Sequence, residues 1–268
     1  MKQQKATTPS RAREIMKDRV LGAEDVRQVF GVEMEEPPIP IPEAILERLG
    51  GEGRLVLYTD KWGNRKPMTP LSIVEKFENK KQDGTKILYS FSPDNRKRRE
   101  RFFNKETPSP KWRLVSDEPL LGSTSRNYLR QTFRLGDYLV GLYDREHSMP
   151  PAIAAMIKGA KKLAINISDD VESWDDTLWK PAHKYLSLLP LNRCFGESFP
   201  ELLYRLVLID RARGVQLLQH MYSWTNSRSS DGNLVHGGYF DADGAIVVGY
   251  GSGDADSSTG LFLSAEKF

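Results

Sequence analysis

Along most of the chain the apolar residues recur at the spacing of amphipathic helices, and near the C-terminus that spacing gives way to alternation. Ile15, Val20, Val26 and Phe30 lie at helical intervals between Arg11 and Phe30. Pro37, Pro38, Pro40 and Pro42 then break any helix and favour extended backbone. Pro42 to Leu46 starts a short helix with proline in its first turn, ended by Gly50 and Gly51. Arg54–Tyr58, Lys86–Phe91 and Lys111–Ser116 read as strands, and Thr69–Phe77 as a helix capped by Thr69. Further helices are expected from Ser123 or Thr124 through Tyr138, over Pro150–Ala164 and over Ser173–Leu189. The broadest apolar helical face runs from Phe199 to Gln219, through Leu202, Leu203, Leu206, Val207 and Ile209. Leu234–Phe240 and Ala245–Tyr250 then alternate as strands around an Asp241-Ala242-Asp243-Gly244 turn, and Gly260–Leu263 closes the chain as a strand. Mixed elements followed by an antiparallel meander, with an irregular stretch at 251–259, predict an α+β fold without internal repeats.

Composition narrows the function classes. The 268 residues are 39% hydrophobic and 28% charged, which suits a globular chain with a real core. A net charge of +3 does not mark the whole chain as a nucleic-acid binder. Cys194 is alone, which excludes an internal disulfide and a cysteine-based zinc site, and it reads as a buried structural thiol. Residues 1–19 are polar and basic, without the apolar core of a signal peptide, and no apolar run approaches a membrane span. The expected location is therefore the cytoplasm.

Chemical motifs are few. His147, His183, His220 and His236 have no metal-binding spacing, and no cofactor or metal is expected. His236 reads as a surface residue. Asp241–Gly244 and Asp254-Ala255-Asp256 lack the remaining oxygen ligands of a calcium loop, and the first reads as a turn. No nucleophile elbow or phosphate loop stands in its proper context. The basic run Arg96, Lys97, Arg98, Arg99 and Arg101 beside Phe102 and Phe103 could meet phosphates or form a solvated face.

One compositional gap stands out. From Thr225 to Ala265 there is no Lys, Glu, Gln, Met or Trp. Those five types cannot arise when the first two bases of an AAC or AAT codon are randomised. Gly- and Ser-rich hairpins also disfavour them. Within this stretch the order Trp224-Thr225, Arg228, Asp231-Gly232, Val235, Gly238, Phe240-Asp241, Gly244, Val247 and Gly260-Leu261 resembles the variable proteins of diversity-generating retroelements. Trp112–Ser116 and Gly122–Tyr128 are similar to that group as well.

The resemblance implies a C-type-lectin-like fold of the formylglycine-generating-enzyme branch, with antiparallel sheet and helices behind an N-terminal extension. It implies a non-enzymatic protein that displays a hypervariable ligand surface rewritten by adenine-directed mutagenesis. On this reading residues 1–45 are a tail and Pro-rich linker. Residues 46–110 are an α/β segment packed on or part of the main domain, and 111–268 are the ligand-binding domain with variable region 224–268. Trp224, Gly232, Gly238, Phe240 and Gly244 would be scaffold, with Leu234, Ile246, Leu261 and Leu263 as further core anchors. The expected variable positions are Asn226, Ser229, Asn233, His236, Tyr239, Val248, Tyr250, Ser252, Asp254 and Asp256. Strand alternation puts Leu234 and His236 on one face unless a bulge intervenes at Gly237-Gly238. The Gly-Gly-Ser-Trp signature of many lectin-fold variable proteins is absent, as are the copper-binding cysteines of the generating enzymes. The implied ligand is a macromolecule, by preference a protein. The rival readings are a nucleic-acid-associated protein using residues 96–101 and an enzyme on a lectin-like scaffold.

Overall fold

A computed structural model describes residues 6–77, 99–143, 149–172, 175–241, 244–250 and 256–268. The expected strand at 86–91, His147, Arg96, Lys97, Arg98, Ser252 and Asp254 lie outside those residues. The described chain is α+β. Ten α-helices are described: α1 (Pro9–Met16), α2 (Ala23–Phe30), α3 (Glu43–Leu49), α4 (Pro70–Phe77), α5 (Arg101–Asn104), α6 (Tyr128–Leu142), α7 (Pro151–Val171), α8 (Asp176–Leu188), α9 (Pro190–Phe195) and α10 (Phe199–Arg213). The strands are β1 (Val20–Leu21), β2 (Gly53–Leu57), β3 (Trp112–Ser116), β4 (Tyr222–Arg228), β5 (Leu234–Asp241), β6 (Gly244–Tyr250), β7 (Thr259–Gly260) and β8 (Ser264–Ala265).

Two four-stranded sheets result, ordered β1-β2-β3-β8 and β6-β5-β4-β7. In the first sheet β1 runs parallel to β2, and β2–β3 and β3–β8 are antiparallel. Alternation sorts its side chains between two cores. Leu55, Leu57, Trp112 and Leu114 join one with α1, α3 and α6–α9, while Val56, Tyr58 and Val115 join the other with α2, α4, α5 and α10. The second sheet bridges the same cores, with Trp224 and Leu234 on the first and Val235, Phe240, Ala245 and Val247 on the second.

Helix α10 is buried on every side from Phe199 to Ile209, because its apolar residues spread around the cylinder instead of forming one stripe. Ser198 and Glu201 close a capping box at its start, and Gly214 ends it in the left-handed conformation. Its polar residues meet partners inside. Arg205 forms a two-pronged pair with Glu197 at 2.7 and 2.7 Å, and Ser223 donates to the same carboxylate at 3.3 Å. Burial opposes the Arg205 charge, but the Glu197 carboxylate more than offsets it and the guanidinium pKa is raised. Arg113 of β3 reaches Glu201 at 3.1 Å and Ser264 Oγ of β8 at 2.8 Å, and also donates to the carbonyls of Gly196 and Ser264.

Several elements differ from expectation. The helical spacing over Arg11–Phe30 is divided by β1, and Lys17 takes φ 55° at the end of α1. The expected tail at 1–45 is packed wherever it is described. Ala12, Leu21, Val26, Ile39 and Ile41 are fully buried, and the Pro-rich stretch is tied to Thr7 through Ile39. Residues 46–110 contribute β2 to the shared sheet, so they belong to the same body as 111–268. The sixth helix starts at Tyr128 on an Asn127 cap, not at Ser123 or Thr124. Ser123 instead accepts the Leu261 amide at 3.1 Å. The expected closing strand Gly260–Leu263 resolves into β7 and β8 on different sheets.

The Arg205–Glu197 pair yields a direct test. Removing one partner leaves an uncompensated buried charge, so Arg205→Met is expected to cost about 3–5 kcal/mol in urea unfolding. The Arg205→Met/Glu197→Met double variant should be more stable than Arg205→Met alone. Strict additivity of the two single changes would refute the coupling.

Candidate functional site

Register organises the second sheet into two unlike faces. Ser223, Thr225, Val235, Gly237 and Val247 alternate toward α10. A Cβ at Gly237 would come within 3.0 Å of Leu202 and of Phe199, so this face admits only small or well-fitted groups. Its hydroxyls are bonded inside: Thr225 donates to Val235 O at 2.6 Å, and Ser227 accepts the Phe199 amide at 3.0 Å.

The other face carries Tyr222, Trp224 and Asn226 on β4, with Leu234 and His236 on β5. Val248 stands opposite His236, Tyr250 opposite Leu234 and Ile246 opposite Gly238. Toward one end this face is closed by α6 and α8: Leu234 is fully buried, and Trp224 packs at a tilt against Tyr128, with ring centroids 5.4 Å apart. Toward the other end the rings continue in an unbroken row. Trp224 meets His236 at 5.2 Å, His236 stacks on Tyr222 at 4.8 Å, Tyr222 meets Tyr239 at 5.3 Å, and Tyr239 meets His220 at 6.0 Å.

A bulge between Gly238 and Asp241 puts Tyr239 into this row. Simple alternation would send Tyr239 to the α10 side. Instead Tyr239 takes φ 51°, its amide bonds Met221 O at 2.8 Å, and Phe240 turns into the α10 core. Gly238 takes φ 153°, and a Cβ there would sit 2.1 Å from Met221 O, so only glycine fits. A tyrosine in the left-handed region costs about 1–2 kcal/mol, and such strain concentrates at functional sites.

The structure distributes the expected variable positions unevenly. His236 is not a surface residue: at 3% exposure it is enclosed between Tyr222 and Trp224. Asn226 is half-buried, donating to Asn192 O at 2.8 Å and accepting from Tyr128 Oη at 3.0 Å, so it is locked to the frame. Ser229 and Asn233 pair across the β4–β5 turn at 3.0 Å, with Gly232 at φ 96° between them. Tyr239 is half-buried and Asp256 exposed. Amide and hydroxyl of Ser258 both bond the Asp256 carboxylate at 2.6 Å, which lowers its pKa. Val248 and Tyr250 are placed by strand register alone. Of the scaffold set, Trp224, Gly238, Phe240 and Gly244 are buried, while Gly232 is half-buried at its turn. Ile246, expected as a core anchor, is half-buried.

Sequence reasoning missed Tyr222 and His220. Strand β4 carries its small hydroxyl residues on the buried face, so hydropathy alternation did not reveal it. The alternation of Tyr222, Trp224 and Asn226 was the available signal.

Other groups bear on the rival readings. Arg99 is exposed, and Arg101 is 82% exposed and 3.8 Å from Glu106. Glu100 between them accepts both the amide and the hydroxyl of Ser230, each at 2.8 Å, which holds this segment against the β4–β5 turn. A polar cleft of about 500 Å³ lies between residues 105–111, Arg193 and Asn226. Burial raises the Glu106 carboxyl pKa there. Cys194 is half-buried with its thiol pKa raised, first by burial and then by Glu266. Among the described residues no cluster of His, Cys, Asp or Glu could hold a metal ion, and no helix is long and apolar enough to cross a membrane. Comparison with family models, with curated proteins and with solved structures returned no match.

Two tests follow from this geometry. Gly238→Ala must both adopt φ 153° and displace Met221 O, so a loss of at least about 3 kcal/mol is expected in chemical unfolding. His183 of α8 has its pKa lowered to about 4, by burial first and then by the nearby Arg228 charge, against 6.5 for the ordinary group. The unfolded chain therefore takes up a proton between pH 6.5 and 4 that the folded chain refuses. Stability from this group is fully present above pH 6.5 and falls as pH drops toward 4, by an amount on the order of 2 kcal/mol. Unfolding curves of His183→Gln should lack this part of the acid slope, and an unchanged slope would contradict the assignment.

Proposed function

We propose that this chain is a variable protein of a diversity-generating retroelement, a non-enzymatic ligand binder with a C-type-lectin-like fold. The supporting observation is the division of labour in the second sheet. One face is fixed against α10 by close packing and internal hydroxyl bonds, and the other carries a row of aromatic residues around a strained bulge. The stretch that lacks the five residue types inaccessible to AAC or AAT randomisation includes β5, β6 and the second half of β4, Thr225–Arg228. The return of β8 onto β3 supports the lectin-like reading of 111–268, because it joins the ends of that segment and leaves β4–β7 as an excursion between them.

Tyr222 and Tyr239 join the surface on this reading, and His236 and Asn226 act chiefly as its support. Tyrosine supplies broad contact area at low entropic cost, which suits a macromolecular ligand better than a deep pocket does. Glu106 and its cleft play no part.

The decisive measurement is the DNA that flanks the gene. A near-copy of the 224–268 coding segment, differing only where the copy has adenines, together with a reverse-transcriptase frame, is the expected finding. A locus without such a copy would overturn the proposal. Stability gives a second check: Asn233→Ser should change unfolding free energy by less than about 1 kcal/mol, whereas Trp224→Ala should cost about 3–5 kcal/mol. Similar costs at both sites would remove the distinction between surface and scaffold.

A further inference from the structure

The charge along the chain is segregated. Residues 229–265 contain five aspartates and no Lys or Arg, a charge of −5, while the whole chain is +3, so the remaining residues carry +8. One aspartate of this segment stands on a turn joined to the aromatic row. Asp256 is exposed, and its carboxylate is kept ionised by the amide and hydroxyl of Ser258. The carbonyl of Asp256 is itself held by the amides of Ser125 and Thr259 at 3.1 and 3.2 Å, so the carboxylate stands on a fixed turn. Tyr222 bonds the next carbonyl but one, Ser258 O, at 2.7 Å. Tyr222 thus stands between the turn that carries Asp256, through its backbone amide, and Tyr239, through its ring.

We infer that this face binds a protein partner through cationic side chains, with Tyr239 and Tyr222 as aromatic contacts and Asp256 as counter-charge. The inference rests on the ligand-binding reading above and adds the chemistry of the partner. A guanidinium or ammonium group is attracted to an electron-rich ring, and a carboxylate beside the ring supplies charge-assisted hydrogen bonds. Arginine gains most, because its planar fork stacks and pairs at once. An anionic partner would instead meet a segment that carries aspartates and no Lys or Arg. The bulge matters here: it holds Tyr239 among the aromatic rings although alternation would bury it against α10.

The test uses the full chain and a displayed library of random dodecapeptides. Peptides competed off by soluble chain should be enriched in Arg and Lys. Their binding should weaken roughly tenfold for Asp256→Asn and for Tyr239→Gly, and should persist in Tyr239→Phe. Tyr239→Gly relieves the positive φ, so it removes the ring without threatening the fold. A melting temperature at or above that of the parent chain verifies this. Selected peptides without cationic enrichment that still depend on Tyr239 would overturn the cationic partner and leave the ligand-binding surface intact. Peptides indifferent to both Tyr239→Gly and Asp256→Asn would overturn this inference and remove the aromatic row from the proposed surface. The flanking-DNA result is independent of either outcome, so failure of the diversification reading is seen separately.

Discussion

The buried pairing of Glu197 with Arg205, and of Glu201 with Arg113, is the constraint on which the rest of the architecture depends. These charges lie within one turn or two of the start of α10, and they reach β3, β4 and β8. Ions sunk this deep are tolerated only when every partner arrives together. An apolar replacement of equal volume could stabilise as well, but it would accept many placements of α10. The ionic set accepts one. Since both sheets press on α10 from different directions, fixing its start fixes the relation between them. The capping box at Ser198 and Glu201 serves two ends, because Glu201 closes the helix with one oxygen and receives Arg113 with the other.

How far the fold could be read from sequence varied with the physics behind each element. The start of the tenth helix, the second and third strands and the β5–β6 meander follow from period and propensity and lie where expected, whereas the helix ends at Arg213, six residues short of the expected Gln219, because Gly214 caps it in the left-handed conformation. The break in the 11–30 pattern does not follow. Val20 and Leu21 sit on opposite sides of a strand and are both buried, and two residues cannot show a period. The N-terminal segment looked like a tail because it is rich in charge. Those charges are spent on specific pairs, Arg11 with Glu43, Arg13 with Glu36 and Arg19 with Asp117, that span 23 to 98 residues. No local reading distinguishes a paired surface from a solvated tail. Likewise Ser123 and Asn127 are both competent helix caps, and only the distant Leu261 amide decides which of the two side chains is engaged elsewhere.

The candidate surface was legible in outline and not in detail. The compositional gap falls on strands that the structure gathers into the second sheet, and the possibility of a bulge was visible in the adjacent Gly237 and Gly238. The two glycines act differently. Gly237 clears Leu202 and Phe199, while Gly238 supplies the left-handed backbone that re-aims Tyr239. That distinction depends on tertiary packing. The same packing encloses His236, which a polar side chain in a variable-looking strand did not foretell. Its burial between two rings shows that the row is built in depth, with inner members setting the position of outer ones.

Position 239 carries a consequence for the proposed diversification. A left-handed backbone accepts glycine, and next to it asparagine and aspartate, at the least cost. The codons AAC and AAT, the substrates of the proposed rewriting, encode asparagine. The unmutated template residue would therefore be well suited to φ 51°. Every first- and second-base change from those codons keeps a pyrimidine at the third base, which leaves glycine, aspartate, serine, histidine and tyrosine within reach and excludes the long flexible Lys, Gln, Glu and Met. Of these five, tyrosine contributes the largest contact surface at the price of some backbone strain. A diversified surface can hold such a residue because the strain is local. The bonds from Tyr239 N to Met221 O and from Phe240 N to Leu218 O are made by backbone, and they persist whichever side chain is written between them.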